Sequence, residues 1–121
     1  MAITITRPTG NQQIQVMGNM IADVEGTVGN DISVGQTLRA YCYRITSAGG
    51  GFVVIPGTPP ADAAMTLVKN DRSFVFDSVG GAEGPTNNQP NANNQVAVWA
   101  MTSFSPPTYT TPVTQPFQGV S

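Results

Sequence analysis

Histidine is absent from this chain of 121 residues. That absence excludes Ser-His-Asp and Cys-His catalysis, imidazole acid–base chemistry and His-ligated zinc. Cysteine occurs once, at Cys42, so no intrachain disulfide forms and a small disulfide-stapled secreted scaffold is excluded. Cys42 lies in the apolar run Leu38-Arg39-Ala40-Tyr41-Cys42-Tyr43 and reads as a small buried hydrophobe. A reactive thiol would need a neighbouring base or a helix N-terminus, and the sequence offers neither. Charge is scarce as well: charged residues make up 10% of the chain, against a typical ~25%. With 5 basic and 7 acidic residues, the net charge is −2. Five scattered basic side chains cannot neutralise many phosphates, so no nucleic-acid partner is expected. The low charge excludes an acidic disordered tail, and the shortage of Glu, Lys and Leu excludes a coiled coil. No run approaches the ~18 apolar residues of a membrane span, so no membrane insertion is expected. The N-terminus, Met1 to Pro8, lacks the basic and apolar regions of an export signal. It reads as a chain made from its own start codon that stays in the cytosol, assembles into a particle there, or is a fragment of a longer exported protein.

What the chain has in quantity is turn chemistry. Its 13 glycines and 10 prolines stay short of the roughly 25–30% that marks a low-complexity chain, yet they interrupt it every dozen or so residues. No window shows an i, i+3, i+4, i+7 apolar face. Short alternating runs recur instead, which is the pattern of strands. They are Ile3–Thr6, a short piece at Ile14 and Val16, Met20–Glu25, Thr37–Ile45, Phe52–Ile55, Met65–Val68, Ser73–Asp77 and Gln95–Ser103. Within them, alternation groups Met20 with Ala22 and Val24, Leu38 with Ala40 and Cys42, and Phe74 with Phe76. Val96, Val98 and Ala100 share one face, and Ala97, Trp99 and Met101 the other. Val96, Val98 and Ala100 are expected to face a core with Phe74 and Phe76. Residues Gly80 to Asn94 read as a long polar loop rich in asparagine, a candidate partner contact because long loops are often functional. Seven to eight short antiparallel strands at turn spacing point to an all-β sandwich. A chain of 12.7 kDa folds to about 6,200 Å² of surface, enough for a core without metals or staples.

Four segments carry a family resemblance. The chain opens with a strand and proline turn, Ile3-Thr4-Ile5-Thr6-Arg7-Pro8, and continues with a strand from Met20 that ends at Gly26. Later come Asp71-Arg72-Ser73-Phe74-Val75-Phe76 and Asn93-Asn94-Gln95-Val96-Ala97-Val98-Trp99-Ala100. In this the chain resembles the bacterial and phage immunoglobulin-like domains of surface proteins and virions, over most of residues 1–103. The resemblance implies an immunoglobulin-like β-sandwich over residues 1–104. The proline-rich segment that follows, residues 105–121, pairs poorly within a sheet yet has apolar residues to cover, so it is expected to serve as a final edge strand or an assembly arm. The Cys–Trp–Cys pattern of antibody domains is missing, since Cys42 has no partner and Trp99 falls on a late strand.

Candidate sites are few. Asp23, Glu25, Asn30 and Asp31 are oxygen donors for Ca²⁺, but their spacing does not match an EF-hand loop. Asp77 and Glu83 are a candidate carboxylate pair for glycoside hydrolysis, but both sit beside glycine-rich sequence. Neither set outweighs its reading as solvated turn residues, so no metal, cofactor or catalytic residue is expected. Tyr41, Tyr43 and Trp99 form an aromatic group suited to an interface or a sugar platform if they point outward. Tyr109 and Phe117, between Pro106, Pro107, Pro112 and Pro116, are candidates for docking on a neighbouring subunit. The expected function is a non-enzymatic structural protein on a virion surface, a capsid decoration whose partners are capsid or tail subunits or copies of itself. The alternative is an adhesion or carbohydrate-binding module of a bacterial surface protein.

Overall fold

Alternating segments need partners for their backbone groups, and here they find them in two sheets. The computed structural model describes residues 3–46, 50–86 and 92–121. Among these it contains nine strands and no helix: β1 (Ile3–Arg7), β2 (Gln12–Gln15), β3 (Met20–Val28), β4 (Thr37–Arg44), β5 (Ala64–Leu67), β6 (Ser73–Gly80), β7 (Ala92–Phe104), β8 (Pro107–Tyr109) and β9 (Val113–Val120). Sheet A has the order β1-β3-β6; sheet B, which is curled, has the order β2-β9-β7-β4-β5, with β8 paired to β7 outside that path. Pairing is antiparallel throughout except between β2 and β9, which run parallel. The chain leaves sheet A after β1, where Pro8 has no N–H to continue a ladder, and enters sheet B as β2. Gln115 holds this crossing by donating to the Pro8 carbonyl at 3.2 Å.

The core lies between the sheets. Sheet A contributes Ile3, Ile5, Ile21, Val24, Phe74, Phe76 and Val79; sheet B contributes Ile14, Leu38, Ala40, Cys42, Val96, Val98, Ala100 and Phe117. Phe74 and Phe76 meet edge to face, with ring centroids 5.7 Å apart. The grouping of Val96, Val98 and Ala100 inside with these rings is as alternation predicts. The accessible surface is 6529 Å², close to the size expected for this mass. Gly26 is forced by this packing: a Cβ there would fall 2.7 Å from Phe74 Cε2.

Alternation fails within β3 and β6, and the two paired strands fail together. Ile21 and Val24 are both buried although three residues apart, and so are Phe76 and Val79. Asp23 takes a left-handed φ of 56°. Ala22 pairs with Ser78 and Val24 with Phe76, which leaves Asp23 opposite Asp77. Each strand changes face at this level, so the register resumes unbroken. The expected grouping of Met20, Ala22 and Val24 is thereby corrected: Met20 and Ala22 are exposed and Ile21 takes the inner position.

Three further expectations are corrected. Phe52–Ile55 forms no strand; it makes an isolated bridge, Thr46 with Phe52, and one bond from Val53 N–H to the Ile45 carbonyl at 3.0 Å. The segment lies over sheet B, not within it. The polar loop is shorter than expected, because β7 begins at Ala92. Finally, β9 is an inner strand between β2 and β7, not an edge. Its Pro116 is tolerated for a geometric reason. The N–H and C=O of one strand residue point the same way, and the Pro116 carbonyl accepts from Asn11 N–H at 3.0 Å. The missing donor therefore falls on the side where β2 is only beginning and removes no bond to β7.

Candidate functional site

The outer face of sheet B carries most of the residues singled out in the sequence. Arg39 on β4 stands opposite Trp99 on β7, and Tyr41 opposite Ala97. Trp99 and Ala97 are fully buried, although they face away from the core. Their cover is the long connection between β4 and β5. Trp99 Nε1 donates to the Pro56 carbonyl at 3.1 Å. Arg39 Nη2 donates to the carbonyls of Ala63 at 2.9 Å, Ala61 at 3.2 Å and Pro60 at 3.3 Å. Its Nη1 reaches the Tyr109 hydroxyl at 3.4 Å. One guanidinium thus satisfies the carbonyls of a chain segment that has no strand to pair with, which its five-donor fork suits.

The connection held this way turns Val53 and Ile55 toward the sheet and displays the alternate residues. Phe52 is 83% and Val54 86% exposed. From Ile45 to Ala61 the sequence has no charged residue. The result is an apolar, uncharged ridge tied at its far side by Trp99 and Arg39.

A second feature lies at the seam where the two sheets part. β5 pairs with β4 only as far as Ala40, so β4 beyond that point faces the end of β6. There Tyr41 packs on Gly81, whose φ is 87° and where a Cβ would lie 2.5 Å from Tyr41 Cε2. Tyr43 meets Tyr41 edge to face at 5.4 Å. Its phenol is held above the ordinary tyrosine range, first by burial and then by Tyr41, Asp62 and Cys42. Beside Tyr41 runs a cleft of about 330 Å³ whose polar lining includes Asn19, Asp62 and Ser78. A smaller cleft continues past Tyr41 to Glu83, whose carboxylate is paired with Arg44 at 2.8 Å.

The five interface candidates therefore separate. Tyr41 and Tyr43 line or flank the seam. Tyr109 is half-buried and supports Arg39. Trp99 and Phe117 are corrected: both are fully buried, Trp99 under the β4–β5 connection and Phe117 in the core, so neither offers a surface to a partner. Burial also pushes the Cys42 thiol up to about 12. Asp23 and Glu25 lie on β3, whereas Asn30 and Asp31 are exposed in the loop after it. Among the described residues no group of three or more metal-ligating side chains comes together. Asp77 sits opposite Asp23 on sheet A while Glu83 is bound to Arg44. Of the asparagine-rich stretch, residues 87–91 lie outside the described residues.

Two positions that shape the candidate site are not legible in the sequence. Asn94, read as loop, is fully buried on β7. It accepts from Glu83 N–H at 2.9 Å and donates to the carbonyls of Glu83 at 2.9 Å and Ala92 at 3.1 Å. This clasp fixes the chain after β6 and so shapes the seam. Arg39 is the other, and the uncharged stretch from Ile45 to Ala61 that it anchors is the signal the sequence offers. Compared with family models, with curated proteins and with solved structures, the chain gave no match.

Proposed function

We propose that this chain is a non-enzymatic immunoglobulin-like module that decorates a virion, docking on capsid or tail subunits through the Phe52–Val54 ridge. The immunoglobulin-like part of the reading is supported by strand order. Such sandwiches place strands A, B and E in one sheet and C, F and G in the other, with C′ added in the variable type. Taking β1, β3 and β6 as A, B and E, and β4, β5, β7 and β9 as C, C′, F and G, reproduces that order. β2 then continues the first strand across to the last. The reading departs from the antibody pattern in two respects: no strand occupies the D position among the described residues, and no disulfide joins the sheets.

The observation that carries the docking role is the ridge itself. Large apolar side chains exposed beyond four-fifths, on a segment tied down by an arginine and a tryptophan, lose little freedom on binding, and that preorganisation favours association. Lack of charge suits the desolvated centre of a protein interface. The test uses virions purified from the source and the full chain. Antibody labelling places the chain on the particle surface, and the Phe52→Ser/Val54→Ser double variant melts like the parent but fails to join particles. A variant that joins normally, or a chain found on the cell envelope and not on particles, overturns the proposal.

A further inference from the structure

We propose that the seam cleft beside Tyr41 binds a neutral saccharide. The argument is independent of the ridge and rests on what the cleft combines. Its volume, about 330 Å³, lies at the small end of the range for specific ligand sites. One wall is aromatic: the Tyr41 ring, backed by Gly81 and braced by Tyr43. The electron-rich face of such a ring attracts the C–H groups of a sugar, while the phenol remains available for a hydrogen bond. The rest of the lining mixes apolar Met20 and Ala64 with polar side chains, and the Ser78 hydroxyl donates to Met20 Sδ at 3.6 Å. The polar ones include Asp62, Asn19 and Ser78, and among the described residues no hydrogen bond engages the Asp62 carboxylate or the Asn19 amide. A carboxylate accepts from two adjacent hydroxyls at once, and an amide supplies both a donor and an acceptor. An aromatic ring and hydroxyl-reading groups lining one cleft match a pyranose, which has an apolar face and a polar edge.

Charge selects the class. The lining contains the Asp62 carboxylate and no lysine or arginine. The nearest acidic neighbour along the groove, Glu83, is already paired with Arg44. An anionic sugar or a phosphate would meet an uncompensated carboxylate, whereas a neutral polyol meets an acceptor. The left-handed residues that build the rim, Gly18 at φ 59° and Asn19 at φ 63°, form the tight turn between β2 and β3. That turn brings the Asn19 amide to the cleft on a short, constrained connection.

The test is a titration of the ¹⁵N-labelled full chain with glucose, galactose, mannose and N-acetylglucosamine, and in parallel with N-acetylneuraminic acid. At least one neutral sugar should shift the amide signals of Asn19, Tyr41, Gly80 and Gly81 in the millimolar range, and the acidic sugar should not. Asp62→Ala, at an exposed position and expected to melt like the parent, should weaken binding at least about tenfold. Tyr41→Phe should retain most of the affinity because the ring is kept. No response to any neutral sugar, a response elsewhere on the surface, equal binding of N-acetylneuraminic acid, or unchanged affinity in Asp62→Ala would each overturn the proposal. The ridge variants leave this titration unaltered, so its failure and the failure of the docking role are separate results.

Discussion

The two faces of sheet B are both buried at their centres, but by different means. The inner face, with Leu38, Ala40, Cys42, Val96, Val98 and Ala100, is covered by sheet A, strand against strand. The outer face, with Trp99 and Ala97, is covered by a connection that joins no strand of either sheet and is tethered through one indole and one guanidinium. A sheet buries its inner face wherever a second sheet stacks on it. Burial of the outer face depends on whether one particular loop lies down. The inner face is therefore a property of the fold, and the outer face a property of a few anchoring side chains.

The sharpest way to break this contrast is Val98→Asp. It places an unpaired charge in the inner layer and should cost more than about 4 kcal/mol, read by urea unfolding, or abolish folding. A parent-like midpoint would mean that the inner layer is not the core. The next effect is one of pH at Cys42 in the same layer. Its thiol stays protonated in the native state up to about pH 12, against an ordinary value of 9.0. Between these values the unfolded chain releases the proton and the native one keeps it, so stability falls as pH rises. The loss should reach about 4 kcal/mol. Unfolding of Cys42→Ala measured in parallel isolates the effect, since that variant lacks this part of the decline.

Trp99→Ala tests the outer face. It should cost about 3 kcal/mol, with a distinctive pattern: amide exchange should accelerate in residues 50–63 while β4 and β7 remain protected. Uniform acceleration would show that the loop is as much a part of the core as sheet A. Asn94→Ala should cost about 2 kcal/mol, because it strands the Glu83 N–H and carbonyl that it now satisfies. Its circular dichroism spectrum should keep its β form. Smallest is Phe52→Ser, which should leave the melting midpoint within the range of about 0.5 kcal/mol typical of surface changes. A larger loss would mean that the ridge is packed and not displayed.

Much of the architecture was legible because alternation has a period of two and a buried face leaves its mark in every second residue. Ile3 with Ile5, Phe74 with Phe76, and Val96 with Val98 could be assigned inward on that ground alone. The failures share one cause. At Asp23 and Asp77, two strands change face at the same level, and a local pattern read on one strand has no access to the other. Phe52–Ile55 has the composition of a strand but no neighbour to pair with. The candidate site was less legible than the fold. Residue type marks Tyr41 and Tyr43 as interface candidates, but the cleft beside Tyr41 needs Gly81, forty residues later, to approach its ring. Asn94 is one of several asparagines in a polar stretch, and only its bonds to Glu83, eleven residues away, set it apart.

The amino-acid sequence by itself determined that this protein is all-β, that it lacks a disulfide and imidazole chemistry, and which faces of its regular strands turn inward. Those properties follow from composition and from short-range periodicity, which a strand carries within itself. Tertiary structure alone decided that the proline-bearing last strand runs inside a sheet, that Trp99 is covered by an uncharged loop, and that Tyr41, Asp62 and Asn19 share one cleft. Each of these depends on contacts between residues far apart in the chain, and nothing in a local pattern encodes which distant segment arrives to make them.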